Sequence, residues 1–380
     1  MQESAKESNY YRQMSDLTNY NPSQREAVTF GEGPLLVLAG PGSGKTFTIT
    51  QRILYLIHEK QIPPQKLLVI TFTREAAVSM RQRFLQISPQ HTTVNFGTFH
   101  SCFYQILLRS GRVSPGNILN EKQKKELIYP VLKKIKAHNA LSATDLPELA
   151  KNLLTAIGYY KNTGDLQSSM DRLPEEWKND FAQVYSGYEE ARKRIRGLDF
   201  DDMLKECEEL LQKDDALRAY WQNLFSYILI DEFQDINYRQ YCIVRLLAQK
   251  HKNVFAVGDD DQAIYGFRGA KPACMKQFVQ EFGAKQIILS TNYRSHQDIV
   301  EASLAVIAEN SDRFPKNLEP CEANRRHLGK MDKKNYHVRI REFSGAKEQL
   351  QFLMRQLKDR TEGETYGILF RTNLAMQSVA

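Results

Sequence analysis

At 380 residues, 42% hydrophobic and 26% charged, the chain has room for two or more cored domains and the composition of a globular protein. No apolar run nears the ~18–20 residues that span a bilayer, residues 1–20 lack the apolar core of a secretory signal, and the five cysteines (Cys102, Cys207, Cys242, Cys274, Cys321) are scattered with no C-x-x-C pair. This excludes a disulfide or zinc framework and leads us to expect a cytoplasmic protein with no membrane partner, while a net charge of +7 and a pI near 8.9 permit a polyanionic partner without naming one.

Past a polar leader, 1–16, Leu17 to Gln24 reads as a turn entering a helix, with Asn21 or Ser23 as its cap and Gln24 on its first turn. Leu35 to Leu38 predicts a buried strand, and Ala39-Gly40-Pro41-Gly42-Ser43-Gly44-Lys45-Thr46 follows as a small-residue loop before a helix from Thr48 to His58. Three glycines in that loop let the backbone curl so that successive N–H groups face phosphate oxygens, and the helix dipole adds positive potential. Lys45 then reaches the outer phosphates and the Thr46 hydroxyl can ligate Mg²⁺. The run departs from G-x-x-x-x-G-K-[ST] in one place, where Ala39 replaces the first glycine.

Leu67 to Thr71 and Thr93 to Phe96 predict further strands, the second running into Gly97-Thr98-Phe99-His100-Ser101. Short apolar strands alternating with helices indicate an α/β fold with a parallel sheet covered on both faces. That rhythm stops near Ser110 and returns near Tyr227. The interval is charged, helix-forming and broken at Pro115-Gly116, Pro147, Gly158, Asn162-Thr163-Gly164 and Pro174, which predicts an inserted all-helical domain returning near Gly197-Leu198-Asp199. Within and beyond it, basic residues cluster at Lys122, Lys124, Lys125, Lys133, Lys134 and Lys136, at Arg192, Lys193, Arg194 and Arg196, and at Arg325, Arg326, Lys330, Lys333 and Lys334. Together they make a candidate nucleic-acid path.

The sheet resumes at Tyr227 to Ile230, which ends at Asp231-Glu232, the edge where open parallel sheets place ligands. Asp231 suits Mg²⁺ binding, directly or through water, and Glu232 suits orienting or deprotonating an attacking water. Val254 to Val257 ends at Gly258-Asp259-Asp260-Asp261-Gln262, whose side chains are expected in the same crevice, with Gln262 in reach of the terminal phosphate. Downstream, Tyr265, Phe267 and Arg268 combine two rings with a cation, suited to stacking on bases and neutralising a phosphate. Gln286 to Leu289 predicts a strand leading to Asn292-Tyr293-Arg294-Ser295. A helix (Gln297 to Glu309), a strand (Val338 to Phe343), a helix (Ala346 to Leu357) and a strand (Tyr366 to Phe370) then predict the start of a second α/β unit.

Gln24, Ala39 to Thr46, Thr71-Phe72-Thr73, Gly97 to Ser101, Phe200-Asp201-Asp202, Asp231-Glu232-Phe233-Gln234-Asp235, Gly258 to Ala270 and Asn292 to Ser295 together resemble the UvrD/PcrA/Rep group of superfamily 1 DNA helicases, in that family's order and approximate spacing. The resemblance implies a first RecA-like, ATP-binding motor domain (17–109 and 198–285), an inserted helical DNA-contacting domain (110–197) and an incomplete second RecA-like domain (286–380). It implies that Gln24 reads the adenine edge, that Tyr293 stacks on the adenine, and that Phe47 stands beside the base where relatives often carry arginine. It implies that Lys45, Thr46, Asp231 and Glu232 serve ATP and Mg²⁺, that Gln262 senses the γ-phosphate, and that Arg294 stabilises charge developing on it. Phe72, His100, Tyr265 and Phe267 would line a single-strand channel, with Phe267 in place of a common tryptophan and Arg74-Glu75 in place of a frequent Asn-Lys.

The implied activity is an ATP-driven motor on single-stranded and forked DNA, running 3′ to 5′, in repair, replication or recombination, with loading proteins unidentified. The family's later motifs have no counterpart before Ala380, so the chain is expected to be a piece of a longer protein, unable to unwind alone. Two other readings stay open: a nucleotide- and strand-binding module without motor activity, and the N-terminal part of a recombination helicase–nuclease subunit.

Overall fold

The computed structural model describes residues 20–114, 116–135, 146–325, 338–358, 363, 365–370 and 376. The leader 1–16 and the basic residues Lys136, Arg326, Lys330, Lys333 and Lys334 lie outside them. In chain order, α1 (Pro22–Thr29) leads to β1 (Leu35–Ala39), α2 (Lys45–His58), β2 (Leu67–Thr71), α3 (Arg74–Ile87), β3 (Asn95–Thr98) and α4 (Phe99–Arg109). The interval then holds α5 (Glu121–Ile135), α6 (Leu146–Thr163), α7 (Leu166–Met170), α8 (Glu175–Lys178) and α9 (Phe181–Arg194). Next come α10 (Phe200–Lys213), α11 (Asp215–Leu224), β4 (Tyr227–Ile230), α12 (Tyr238–Ala248), β5 (Val254–Gly258), α13 (Ala273–Phe282) and β6 (Lys285–Leu289). A first unit, 1–326, closes with β7 (Thr291–Asn292), α14 (Gln297–Ile307) and β8 (Glu319–Pro320), and a second, 327–380, holds α15 (Ala346–Lys358).

Six strands pair in parallel in the order β3-β2-β4-β5-β1-β6. Because side chains alternate along a strand, Leu36, Leu38, Ile70, Ile228 and Ile230 enter one core with α4, α10, α12 and α13, while Leu35, Val37, Val69, Leu229 and Val257 enter another with α2 and α3. Both faces are therefore apolar, as a covered parallel sheet requires. Parallel pairing also brings the loops after β1, β2, β4 and β5 to one edge, where the candidate site lies.

The interval's helices carry a core of their own, built on Ile128, Leu132, Leu153, Ile157, Trp177, Phe181 and Tyr188. Its entry and exit strands touch: Leu119 N–H donates to Leu198 O at 2.8 Å and Leu198 N–H to Asn117 O at 2.8 Å. A Cβ at Gly197 would lie 2.8 Å from Leu119 Cδ2, so a larger residue there would have to displace the buried Leu119 side chain. Beneath it sits a buried ionic knot in which Lys161 Nζ meets Glu189 at 2.6 Å and Asp199 and Asp202 at 2.8 Å each. Burial works against the Lys161 charge, but these carboxylates outweigh it and hold its pKa above the ordinary lysine value. Arg192, counted above in the candidate nucleic-acid path, belongs to this knot, pairing with Glu189 at 2.9 Å and Asp202 at 2.8 Å.

Four expectations need correction. Pairing to β2 runs from Leu68↔Asn95 to Thr71↔Thr98, so β3 begins two residues after Thr93 and includes Gly97. The segment Gln286 to Leu289, assigned above to the second motor domain, pairs with β1 as the edge of the first sheet, because α13 carries the chain from β5 across β1. Neither 338–343 nor 365–370 belongs to a sheet among the described residues. An apolar extended run becomes a strand only when a neighbour supplies the ladder, and sequence pattern does not report the neighbour. In the second unit α15 does form, with Phe343 and Phe352 rings 5.4 Å apart and Ser344 N–H donating to Glu348 at 2.9 Å.

Candidate nucleotide site and nucleic-acid interface

Ala39 ends β1 fully buried, and the chain turns through Gly40, Pro41, Gly42 and Ser43 to Gly44, the residue that caps α2. Gly42 and Gly44 stand at φ +68° and +90°, a left-handed conformation that costs glycine nothing. Ser43, buried, tightens the loop by donating to Gly40 O from its N–H at 3.3 Å and from its hydroxyl at 2.8 Å. Lys45 and Thr46 are the first residues of α2, where unpaired backbone N–H groups and the helix dipole attract anions.

Two other segments brace this loop. Asn21 caps α1 by a reciprocal pair of bonds with Gln24, and Gln24 Nε2 donates to Ser43 O at 3.1 Å. Gln24 is thus buried behind the loop, fixing its shape. From the far end of the chain, Asn292 Nδ2 donates to Pro41 O at 2.7 Å and Tyr293 N–H to Gly42 O at 2.9 Å. Asn292 Oδ1 accepts from the Arg294 and Ser295 N–H groups at 2.9 and 2.8 Å, and the Tyr293 hydroxyl accepts from Asn21 Nδ2 at 2.9 Å.

Lys45, Thr46, Phe47, Glu232, Gln262, Tyr293 and Arg294 line one cleft of about 420 Å³ with the loop glycines Gly42 and Gly44, Pro41 and Arg83. Within it Lys45 Nζ lies 2.8 Å from Glu232 Oε2. Glu232 holds a left-handed φ of +52°, unusual for a side-chain-bearing residue, and its N–H donates to Asp231 Oδ1 at 3.0 Å. Phe47 is exposed, its ring 5.4 Å from that of Tyr20. Burial first, then the Glu232 charge, pushes the Asp231 carboxyl up to about 6, with Lys45 pulling the other way. Thr46 brings a helix-start hydroxyl to this cleft, and the buried Asp231 carboxyl follows the end of β4 next to the cleft residue Glu232; both are oxygen donors of the kind Mg²⁺ takes, so these residue types fit that ion.

The acidic run after β5 does not open into the cleft as expected. Lys316, with a fully buried side chain, bonds Asp259 at 2.6 Å, Asp260, and Asp261 at 3.0 Å. Arg313 grips Asp261 through two bonds at 2.8 and 2.5 Å. These carboxylates could hold a metal by spacing alone, but cations of the chain already neutralise them. Only Gln262 of the run lines the cleft, with its Nε2 donating to Asp259 Oδ2 at 2.6 Å.

A second cleft, about 840 Å³, lies between the sheet edge and α5–α6. Phe72, His100, Phe200 and Phe267 line it, with Lys124, Lys125 and Lys151 on the helical side and Asp201 and Asp235 at its floor. Tyr265 joins the rings into a ladder, 4.7 Å from Phe72 and 5.9 Å from Phe267, which is 54% exposed. Burial drives the His100 imidazole down to about 4, so near neutral pH it is uncharged, set edge-on to Phe200 at 5.3 Å. The Arg268 side chain lies outside the described residues.

Sequence reasoning missed Arg83, Lys151, Lys161 and Lys316. Lysine or arginine on a helix or loop usually faces water, and nothing local separates these four from their neighbours.

The sequence model of the UvrD/REP helicase N-terminal domain family matches residues 20–283. The chain is 40% identical over 310 residues to a putative ATP-dependent DNA helicase, YjcD, of Bacillus subtilis, covering 79% of this chain and 40% of that protein. To the ATP-dependent DNA helicase PcrA of Staphylococcus epidermidis it is 37% identical over 366 residues, covering 93% of this chain and 48% of the relative. PcrA of Staphylococcus aureus is 36% identical over 364 residues, with 94% and 48% covered. The chain thus spans less than half the length of these relatives.

Proposed function

This chain belongs to the UvrD/REP helicase family, and on that footing we propose that it is the nucleotide-binding and strand-gripping part of an ATP-dependent DNA helicase. The observation that carries the reading is the convergence of Lys45, Glu232, Gln262 and Arg294 on one cleft, with a ladder of rings in a second cleft at the same sheet edge. The loop from Gln262 to Phe267 joins the two within five residues.

In this reading the loop N–H groups and Lys45 hold the triphosphate, Phe47 and Tyr293 flank the base, and Gln24 keeps the loop in shape. Lys45 exchanges Glu232 for phosphate oxygens, which frees the Glu232 carboxylate to orient and deprotonate the attacking water. Arg294 meets the charge that develops on the γ-phosphate. Thr46 and Asp231 would hold Mg²⁺, which would supply charge neutralisation for the triphosphate. Phe72, Tyr265 and Phe267 stack on bases without regard to sequence, and His100, neutral, packs or donates a hydrogen bond there.

Motion follows when Gln262 reports the terminal phosphate to Tyr265 and Phe267, biasing the rings between tight and loose grip. The 3′ to 5′ direction is supported by family resemblance. Measuring ATP turnover of the protein carrying this chain with and without single-stranded DNA tests the reading, and strand displacement on 3′- against 5′-tailed duplex tests the direction. Turnover indifferent to DNA would sink the first, and unwinding from the 5′ tail the second.

A further inference from the structure

Gln234 is 1% exposed and stands between the two clefts. Its Nε2 donates to Glu232 Oε2 at 2.9 Å and to Asp235 Oδ2 at 3.2 Å, and its Oε1 accepts from the Asp259 N–H at 2.9 Å. Asp259 in turn accepts from Gln262. Glycine at 258 makes the reach possible, since a Cβ there would lie 2.8 Å from Gln234 Oε1. One amide therefore touches the hydrolytic carboxylate, the sensor loop and the floor of the aromatic cleft.

Asp235 faces that cleft beside Asn237 and Asn162, and its Oδ1 is buried with no hydrogen-bond partner. An orphaned buried acceptor is costly and uncommon. Here it points to a donor that arrives from outside, and a base amino group of a bound strand has the right chemistry. Glu232 has two bonded neighbours of its own, Lys45 on the phosphate side and Gln234 behind. Once Lys45 leaves for the phosphates, Gln234 is what keeps the carboxylate aimed.

We propose that Gln234 is a positioning residue for Glu232, and that through Asp235 it carries occupancy of the aromatic cleft to the hydrolytic carboxylate. The proposal rests on the helicase reading above for the roles of the two clefts. It does not make Gln234 a group that touches substrate.

The test uses the protein that carries this chain, ATP, and an oligodeoxyadenosine and a mixed-sequence single strand as probes, both of which carry base amino groups. Gln234→Met keeps length and volume but neither donates nor accepts as the amide does. We expect strand-stimulated kcat to fall roughly ten- to hundredfold, the loss of a hydrogen bond to a charged group, with the KM for ATP and the half-saturating strand concentration within about threefold. Asp235→Asn keeps a single acceptor, which cannot serve Gln234 and an incoming amino group together, so it loses part of the stimulation, and Asp235→Leu loses all of it. The double variant Gln234→Met with Asp235→Leu is no worse than either single one, because both break the same link.

Additive losses in the double variant, equal losses from Asp235→Asn and Asp235→Leu, or a Gln234→Met protein with unaltered kcat would each overturn the inference. If Gln234→Met fails to fold by circular dichroism, the Asp235 pair alone decides. A wild-type protein whose turnover ignores DNA overturns the helicase reading, which is a different outcome from a stimulated wild type matched by a stimulated Gln234→Met.

Discussion

The two clefts at one sheet edge are built on opposite principles. The proposed nucleotide cleft is an arrangement of charge on fixed backbone: Lys45 against Glu232, with Asp231 buried behind, while the three carboxylates after β5 are held outside it by Lys316 and Arg313. The proposed strand cleft is a ladder of rings, with Lys124, Lys125 and Lys151 opposite and a neutral His100 among the rings. A site for one anionic tail of defined length gains from preorganised charge, which discriminates sharply by geometry. A site past which any sequence must slide gains from stacking, which does not discriminate.

Breaking the charge scaffold is expected to have the largest effect. Lys316→Met leaves Asp259, Asp260 and Asp261 facing one another without their buried cation, and loss of one partner of a buried ion pair costs about 3–5 kcal/mol. Urea unfolding should show that loss, together with weakened nucleotide binding because Gln262 leans on Asp259. Lys45→Ala comes next: turnover falls by about 10²–10³-fold or more, while single-strand affinity in a fluorescence titration stays within about twofold. Loss of strand binding in that variant would mean that Lys45 supports the aromatic cleft as well as the nucleotide cleft.

On the other side, Tyr265→Ala removes the middle of the ring ladder. It should weaken single-strand binding by about 1–3 kcal/mol, leave nucleotide affinity unchanged and leave the salt dependence unchanged. Lys125→Ala should do the converse, with a modest affinity loss and a salt slope shallower by about 0.7. Identical salt slopes in these two variants would erase the distinction between stacking and charge in this cleft.

A further expected effect is one of pH. His100 has its folded pKa lowered from 6.5 to about 4 by burial, so the unfolded chain takes up a proton on acidification before the folded one does. That contribution lowers stability as pH falls from about 6.5 towards 4. His100→Asn should lose less stability than the wild type across that window in thermal melts, and a parallel pair of curves would mean that the imidazole is not buried in solution.

Much of the nucleotide site is legible in the chain because its parts are local. A phosphate loop needs glycine at φ +68° and +90°, and Gly42 and Gly44 stand there in the sequence. Several of the motif residues also do local work that sequence rules describe: Asn21 with Gln24, Thr98 with Ser101, Asp199 with Asp202 and Asn237 with Gln240 each close a helix start by reciprocal bonds. The six apolar runs of the sheet were likewise visible, though the placement of Gln286 to Leu289 beside β1 was not. The strand-like stretches 338–343, where Arg339, Arg341 and Glu342 interrupt the apolar residues, and 366–370 belong to no sheet among the described residues.

What the sequence determined by itself was therefore what depends on neighbours along the chain: strand and helix periodicity, caps, the glycine turns, and the acid pair Asp231-Glu232 at a strand end. Tertiary structure alone decided which charges meet. Lys161 and Arg192 disappear into a knot at the base of the helical insertion, Lys316 silences an acidic run 55 residues upstream, counting from Asp261, and Gln234 spans both clefts. The physical reason is that periodicity and backbone conformation are short-range properties, whereas the partner of a buried charge or amide is chosen by packing between segments far apart in sequence.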